Sequence, residues 1–219
     1  MISREMVESI GISYPERFHM DLRKDPFPWF LLSVLFGARI PESIAVRTFF
    51  LFKTDKLLSP ESIIKRGWEG LVTILDSGGY TRYDFKTATK LLEMSNNIIA
   101  QGSLKAIHER SAPEELPENL KALAKGIGDV TVGIFIREMV GIWEKARPFP
   151  SILVRASADM LEIEPLSFAK ELGVTYGLME SFLLSVGRKC FRSGCEKCIF
   201  PDQCRKYLAE NGNPLGNRT

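Results

Sequence analysis

The 219-residue chain has little net charge, no long apolar run and no cysteine before position 190. Its 29 Lys and Arg against 27 Asp and Glu leave a formal net charge of +2, so any nucleic-acid surface must come from local clustering of charge. The most apolar stretch, 28–36, is far shorter than the roughly 20 residues that span a membrane. Residues 1–8 carry charges and no apolar core, so no secretory signal is visible. We therefore expect an intracellular protein, cytoplasmic or, in a prokaryote, associated with the nucleoid.

The alternating pattern typical of β-strands is also lacking, which predicts an all-α protein. Segments with apolar residues three and four apart, bounded by Ser, Pro or Gly, indicate helices. The predicted helices are 3–12, 28–36, 41–51, 59–67, 70–75, 83–100, 102–108, 119–124, 130–143, 152–160, 165–172 and 176–186. The two histidines, His19 and His108, are isolated, and we interpret both as surface residues.

Residues 123–133 combine the end of one predicted helix, a Gly-Ile-Gly turn and the start of the next helix. Gly126 and Gly128 bracket Ile127, which permits a turn too tight for a Cβ atom. Such a turn exposes unpaired backbone N–H groups at the N-terminus of a helix, where the helix dipole favours a phosphate. The alternative is an ordinary tight turn with no ligand.

The chain's four cysteines lie within 15 positions, with the spacing Cys-x4-Cys-x2-Cys-x5-Cys. They are Cys190, Cys195, Cys198 and Cys204. In an intracellular protein, clustered cysteines indicate metal binding more often than disulfides. A single compact loop with one Cys-x2-Cys pair favours a cubane iron–sulfur cluster over zinc, although zinc and unliganded thiols remain alternatives.

With the glycine turn and the cysteine loop in this order, the chain resembles the endonuclease III family of DNA glycosylases. Residues 183–204 are similar to the loop in which that family carries a 4Fe–4S cluster, although the first cysteine spacing here is two residues shorter. Residues 116–128 resemble the approach to the family's helix-hairpin-helix. Residues 26–39 and 77–80 resemble its first long helix and its glycine–tyrosine turn.

This resemblance implies an all-α, two-lobed helix-hairpin-helix glycosylase fold with a C-terminal 4Fe–4S cluster loop. One domain is then a helical barrel, 29–146, with the helix-hairpin-helix at about 116–133. The other combines 1–28 with 147–206 and holds the iron–sulfur loop at 190–204. Residues 207–219 would form a flexible tail.

The resemblance also implies that double-stranded DNA with a damaged or mispaired base binds between the lobes of a monomer. Hairpin amides would hold a phosphate, with help from lysines, while arginines of the cluster loop would contact phosphate by charge. Arg39 would fill the gap left by an extruded base, and Tyr80 would stack on a base; their alternatives are an exposed loop arginine and a packing anchor. The predicted DNA-contacting residues are Arg39, Tyr80, Lys121, Lys125, Gly126, Gly128, Val130, Arg188 and Arg192.

Two departures from the family concern the chemistry. The lysine that forms a Schiff base in bifunctional members is replaced by Val130, so we expect no efficient lyase step of the family type. The family's aspartate lies five residues before an arginine that matches Arg155, and that position is Pro150. Three carboxylates are candidates to replace it, namely Asp129, Asp159 and Glu138, although the default expectation for Glu138, on the central helix, is a surface-facing carboxylate. We choose Asp129 as the candidate catalytic residue, with a helix N-terminal acid as its alternative.

Three functions therefore stay open at this point. The first is a DNA-repair glycosylase, monofunctional or chemically divergent, that cleaves the N-glycosidic bond of a flipped base. The second is a non-catalytic DNA-binding protein that recognises lesions on the same scaffold. The third is a zinc-stabilised helical module without affinity for DNA.

Overall fold

A computed structural model describes residues 2–193, 200 and 204 of the chain. These residues form helices and no β-strand, and one isolated bridge joins Val140 to Trp143. The all-α prediction is confirmed for them. The predicted tail, 207–219, lies outside the described residues, as do Cys195 and Cys198.

The helices follow one another with short connections. They are α1 (Arg4–Ile10), α2 (Tyr14–Arg17), α3 (Phe27–Phe36), α4 (Glu42–Thr54), α5 (Pro60–Gly78), α6 (Asp84–Ala100), α7 (Leu104–Arg110), α8 (Leu116–Lys121), α9 (Asp129–Met139), α10 (Ile152–Leu161), α11 (Pro165–Leu172) and α12 (Tyr176–Ser193).

Helix α5 shows how local sequence determines an element. Ser59 accepts a hydrogen bond from the Ser62 backbone N–H at 3.2 Å, and its own N–H donates to the Ser62 hydroxyl at 3.0 Å, which completes a capping box. Gly67 interrupts the helix with φ of 72° and ψ of 168°, a conformation that glycine adopts without strain. The two helices predicted over 59–67 and 70–75 are therefore one element with a kink between its halves.

The predicted helix 130–143 is too long. Helix α9 ends at Met139 because Val140 has an extended backbone and Gly141 has a φ of 84°. The apolar residues after Met139 continue the core without continuing the helix: Trp143 is 7% exposed. Apolar periodicity indicates burial there, and it cannot distinguish a helix from a packed turn.

The chain divides into two compact units, one of Phe18–Arg147 and one of Met1–Arg17 together with Pro148–Thr219. The domains predicted from the sequence began the central unit at residue 29. In the structure the segment 18–28 belongs to that unit, and Phe18 stacks on Phe49 of α4 with ring centroids 6.1 Å apart.

The core of the central unit fixes where α9 begins. The Trp29 indole of α3 donates to the Phe135 carbonyl of α9 at 3.1 Å, and the Phe30 and Phe135 rings meet edge to face at 4.9 Å. At the end of α3, a Cβ on Gly37 would overlap the Thr131 hydroxyl. The first turn of α9 is thus packed directly against the end of α3.

His108 is buried in this unit, so its interpretation as a surface residue is wrong. Its ring stacks on Trp143 with centroids 4.6 Å apart, and its Nε2 accepts the Lys145 backbone N–H at 3.2 Å. Burial, assisted by the charge of Lys145, lowers the pKa of His108 below its ordinary value. A neutral imidazole therefore holds the segment that follows α9.

In the other unit, α12 packs against α1, α10 and α11. The buried side chains include Val7 of α1, Val154 of α10 and Phe182 of α12. Phe200 and Cys204 belong to the same apolar core, so the chain returns to it after the first residues of the cysteine loop.

Candidate functional site

The turn between α8 and α9 has the geometry expected of the Gly-Ile-Gly sequence. Gly126 has a φ of 88°, where any other L-residue is strained. Ile127 is 5% exposed and anchors the turn in the core, while its N–H donates to the Ala124 carbonyl at 3.1 Å. Gly128 is the N-cap of α9 and has extended backbone angles, with φ of −125° and ψ of −174°.

The turn presents exposed amides at the start of α9. Among the described residues, the N–H groups of Gly126, Gly128, Asp129 and Val130 have no acceptor. Both glycines are exposed, Val130 is 65% exposed, and nothing lies within 4 Å of a Cβ placed on Gly128. These donors, together with the positive end of the α9 dipole, can bind an anion.

Helix α6 holds this turn in place, an arrangement that the sequence analysis missed. Glu93 Oε2 accepts the Lys125 backbone N–H at 3.1 Å, and Asn97 Nδ2 donates to the Leu123 carbonyl at 3.0 Å. The two side chains lie one turn apart on α6, and both bond to the backbone of the segment that leads into the turn. The conformation of the turn therefore depends on contacts with α6 as well as on the glycines of the turn itself.

Lys121, predicted to contact DNA, is already engaged by two carboxylates. Its Nζ lies 2.5 Å from Glu118 Oε1 and 2.8 Å from Asp129 Oδ1. The hydrogen bond to Asp129, followed by the one to Glu118, raises the pKa of Lys121 above its ordinary value. Lys125, the other predicted lysine, is exposed.

The candidate catalytic carboxylates are arranged in three different ways. Asp129 lies at the first position of α9, with its side chain 72% exposed and paired with Lys121. Glu138, expected to face solvent, is buried beside Arg137, with Oε1 and Nε 3.8 Å apart, so that expectation is wrong. Asp159 is exposed on α10, in the other unit.

The two remaining residues of the predicted interface in the central unit differ from each other. Arg39 is exposed in the turn after α3, as a gap-filling residue must be. Tyr80 is 1% exposed, and its hydroxyl donates to the Leu35 carbonyl at 2.7 Å, so neither face of the ring is open to a base. Burial raises its pKa. The assignment of Tyr80 to base stacking is corrected: it anchors the turn after α5 to the end of α3.

Two of the four cysteines lie within the described residues. Cys190, near the end of α12, packs against the apolar core that contains Cys204, which is 4% exposed. Among the described residues no group of three or more His, Cys, Asp and Glu side chains is arranged around a common point. Of the loop arginines, Arg188 is exposed on α12, and Arg192 lies in the same helix.

Within the part of the chain that the structure describes, no helix combines the length and the apolar character needed to cross a membrane. No protein-family model and no curated protein matches this chain.

Proposed function

We propose that this protein is a base-excision DNA glycosylase of helix-hairpin-helix type, which binds duplex DNA and cleaves the N-glycosidic bond of a damaged or mispaired base flipped out of the helix. The observation that carries the proposal is the row of exposed amides at Gly126, Gly128 and Val130, at the start of an 11-residue helix. A DNA phosphate is an anion that suits this turn, because several N–H groups without acceptors lie at the positive end of the α9 dipole.

The chemistry of the reaction requires an extruded base, since the glycosidic carbon is otherwise inaccessible inside the duplex. Arg39, exposed after α3, is the residue that we assign to the gap left by that base. Asp129 is the carboxylate that we assign to stabilising the cationic sugar or activating water. Because Val130 lacks an amine, the proposed enzyme has no lyase step of the family type.

A 4Fe–4S cluster fits the cysteines of this chain. Four thiols fall within 15 positions, and two of them, Cys190 and Cys204, pack in one apolar core although they are 14 positions apart in the sequence. We propose that Cys190, Cys195, Cys198 and Cys204 hold the cluster. When bound, it would fix the shape of its loop and so the placement of Arg188 and Arg192 near DNA.

Specific observations favour a second function, lesion recognition without catalysis. Val130 and Pro150 stand where the resembled family has its lysine and its aspartate. Glu138 is buried beside Arg137, and Asp129 is paired with Lys121. A protein of this kind would bind the same DNA through the same turn and release no base.

The hairpin assignment is tested by Gly128→Ala and Gly128→Val. Gly128 has extended backbone angles and open space around a Cβ, so both side chains fit without strain, while each obstructs the approach of a phosphate to the amides. Binding of lesion-containing duplexes, measured by fluorescence anisotropy, should weaken progressively, by about tenfold for Val, equivalent to about 1.4 kcal/mol. Thermal stability should stay near that of the wild type. Unchanged affinity in both variants would show that the turn does not contact DNA.

A further inference from the structure

Lys90 lies beside the turn and was not singled out by any motif. It is a half-buried residue of α6, one helical turn before Glu93. A Cβ placed on Gly126 would lie 3.2 Å from Lys90 Cε and 3.5 Å from its Nζ. The ammonium therefore reaches the exposed glycine whose N–H has no acceptor among the described residues.

The charge of Lys90 has no counter-ion among the residues that the structure describes. No described carboxylate lies within 4.0 Å of its Nζ, in contrast to Lys121, which contacts both Glu118 and Asp129. Burial lowers the pKa of Lys90 below its ordinary value, because the ammonium loses solvent without gaining a counter-ion. An anion bound next to it would offset this loss of solvation.

We propose that Lys90 supplies the charged contact to the phosphate held by the Gly126–Gly128 turn, in place of Lys121, whose charge is engaged by two acids. The inference rests on the proposed DNA-binding function and adds to it a residue from a different helix. Lys90 is close to the exposed backbone of Gly126, it comes from the helix that also holds the turn through Glu93 and Asn97, and it has no described partner.

The test is the salt dependence of duplex binding by wild type, Lys90→Gln and Lys90→Arg. Each phosphate that a protein neutralises contributes about 0.9 to the slope of log K against log salt concentration. Lys90→Gln should lower the slope by about one and weaken binding at low salt, while Lys90→Arg keeps both. Lys105→Gln on α7, where Lys105 faces Glu109 at 4.0 Å, is the control and should leave the slope unchanged.

A second measurement distinguishes a direct contact of Lys90 with a phosphate from a purely structural role of this residue. The pKa of Lys90, followed by NMR of its side chain, should rise when a duplex binds, because the phosphate stabilises the ammonium. An unchanged slope in Lys90→Gln together with an unchanged pKa in the complex would overturn the inference and leave the proposed function standing. Absence of DNA binding by the wild type would instead overturn the proposed function, and this inference with it.

Discussion

Asp129→Asn tests how the acids at the turn affect DNA binding. In the free protein the Asp129 carboxylate lies 2.8 Å from the Lys121 ammonium, and Glu118 contacts the same ammonium. Two carboxylates and one ammonium sum to one negative charge beside the exposed amides. Asn has the shape of Asp without its charge, so the variant makes this group neutral and leaves one acid on Lys121.

The structure limits the cost of this change to stability. The Asp129 side chain is 72% exposed, and exposed ion pairs contribute about 0–1 kcal/mol. We expect the free energy of unfolding to fall by about 1 kcal/mol at most, including the favourable interaction of an acid with the helix N-terminus. For a chain of this size that is a decrease in Tm of about 2–4 °C.

The effect on DNA binding should have the opposite sign. Two unit charges about 4 Å apart in water interact by about 1 kcal/mol, so removing a like charge next to the phosphate should tighten binding about fivefold. Fluorescence anisotropy with a duplex at several salt concentrations measures this. Asp159→Asn, another exposed aspartate but on α10, is the control and should bind like the wild type. Weaker binding by Asp129→Asn, at unchanged stability, would show that the charge of Asp129 does not repel the bound phosphate.

Two further predictions concern buried groups of the central unit. Tyr80→Phe should lower the free energy of unfolding, measured by urea denaturation, by about 1 kcal/mol, because the Leu35 carbonyl loses its 2.7 Å hydrogen bond. An unchanged free energy of unfolding would contradict the anchoring role of Tyr80. Because the pKa of His108 is lowered in the folded state, its contribution to stability is complete above the ordinary value of 6.5 and is lost as the pH falls below it. The loss of stability between about pH 7.5 and about pH 5.5 should therefore be smaller in His108→Gln than in the wild type. An equal loss in both proteins would show that folding does not change the pKa of His108.

Local signals accounted for much of the fold. Ser59 begins α5 as expected from its hydroxyl and the proline after it, and Ser151 likewise caps α10 by accepting the Val154 N–H at 3.3 Å. Gly126 adopts the positive φ that the Gly-Ile-Gly turn requires. These features depend on residues that are close in sequence, so their effects can be predicted from a short window.

The sequence-based predictions of exposure were wrong where the burial of a residue depends on parts of the chain that are distant in sequence. Burial of Tyr80 depends on Leu35, 45 residues earlier, and burial of His108 depends on Trp143. Glu138 faces the interior although its charge predicts exposure. A local sequence pattern does not predict which side of a helix is buried by distant parts of the chain.

In the candidate site, too, the local features were predictable from the sequence and the contacts between distant residues were not. The glycines and the exposed amides were predictable from the turn sequence, whereas the contributions of α6 were not. Glu93 reaches the Lys125 N–H across 32 positions, and Lys90 approaches Gly126 across a similar separation. Glu93 and Lys90 both belong to α6, and the sequence does not distinguish them from the other polar residues of that helix. Only the packing of α6 shows which of these side chains face the turn.

Single-turnover base release decides whether this protein is a glycosylase; the protein is kept in excess over a panel of duplexes that each contain one damaged or mispaired base. We expect release from at least one duplex by the wild type, and loss of that release in Asp129→Asn without loss of binding. Tight binding of these duplexes with no release from any of them would contradict the glycosylase assignment and leave lesion recognition as the function of the turn.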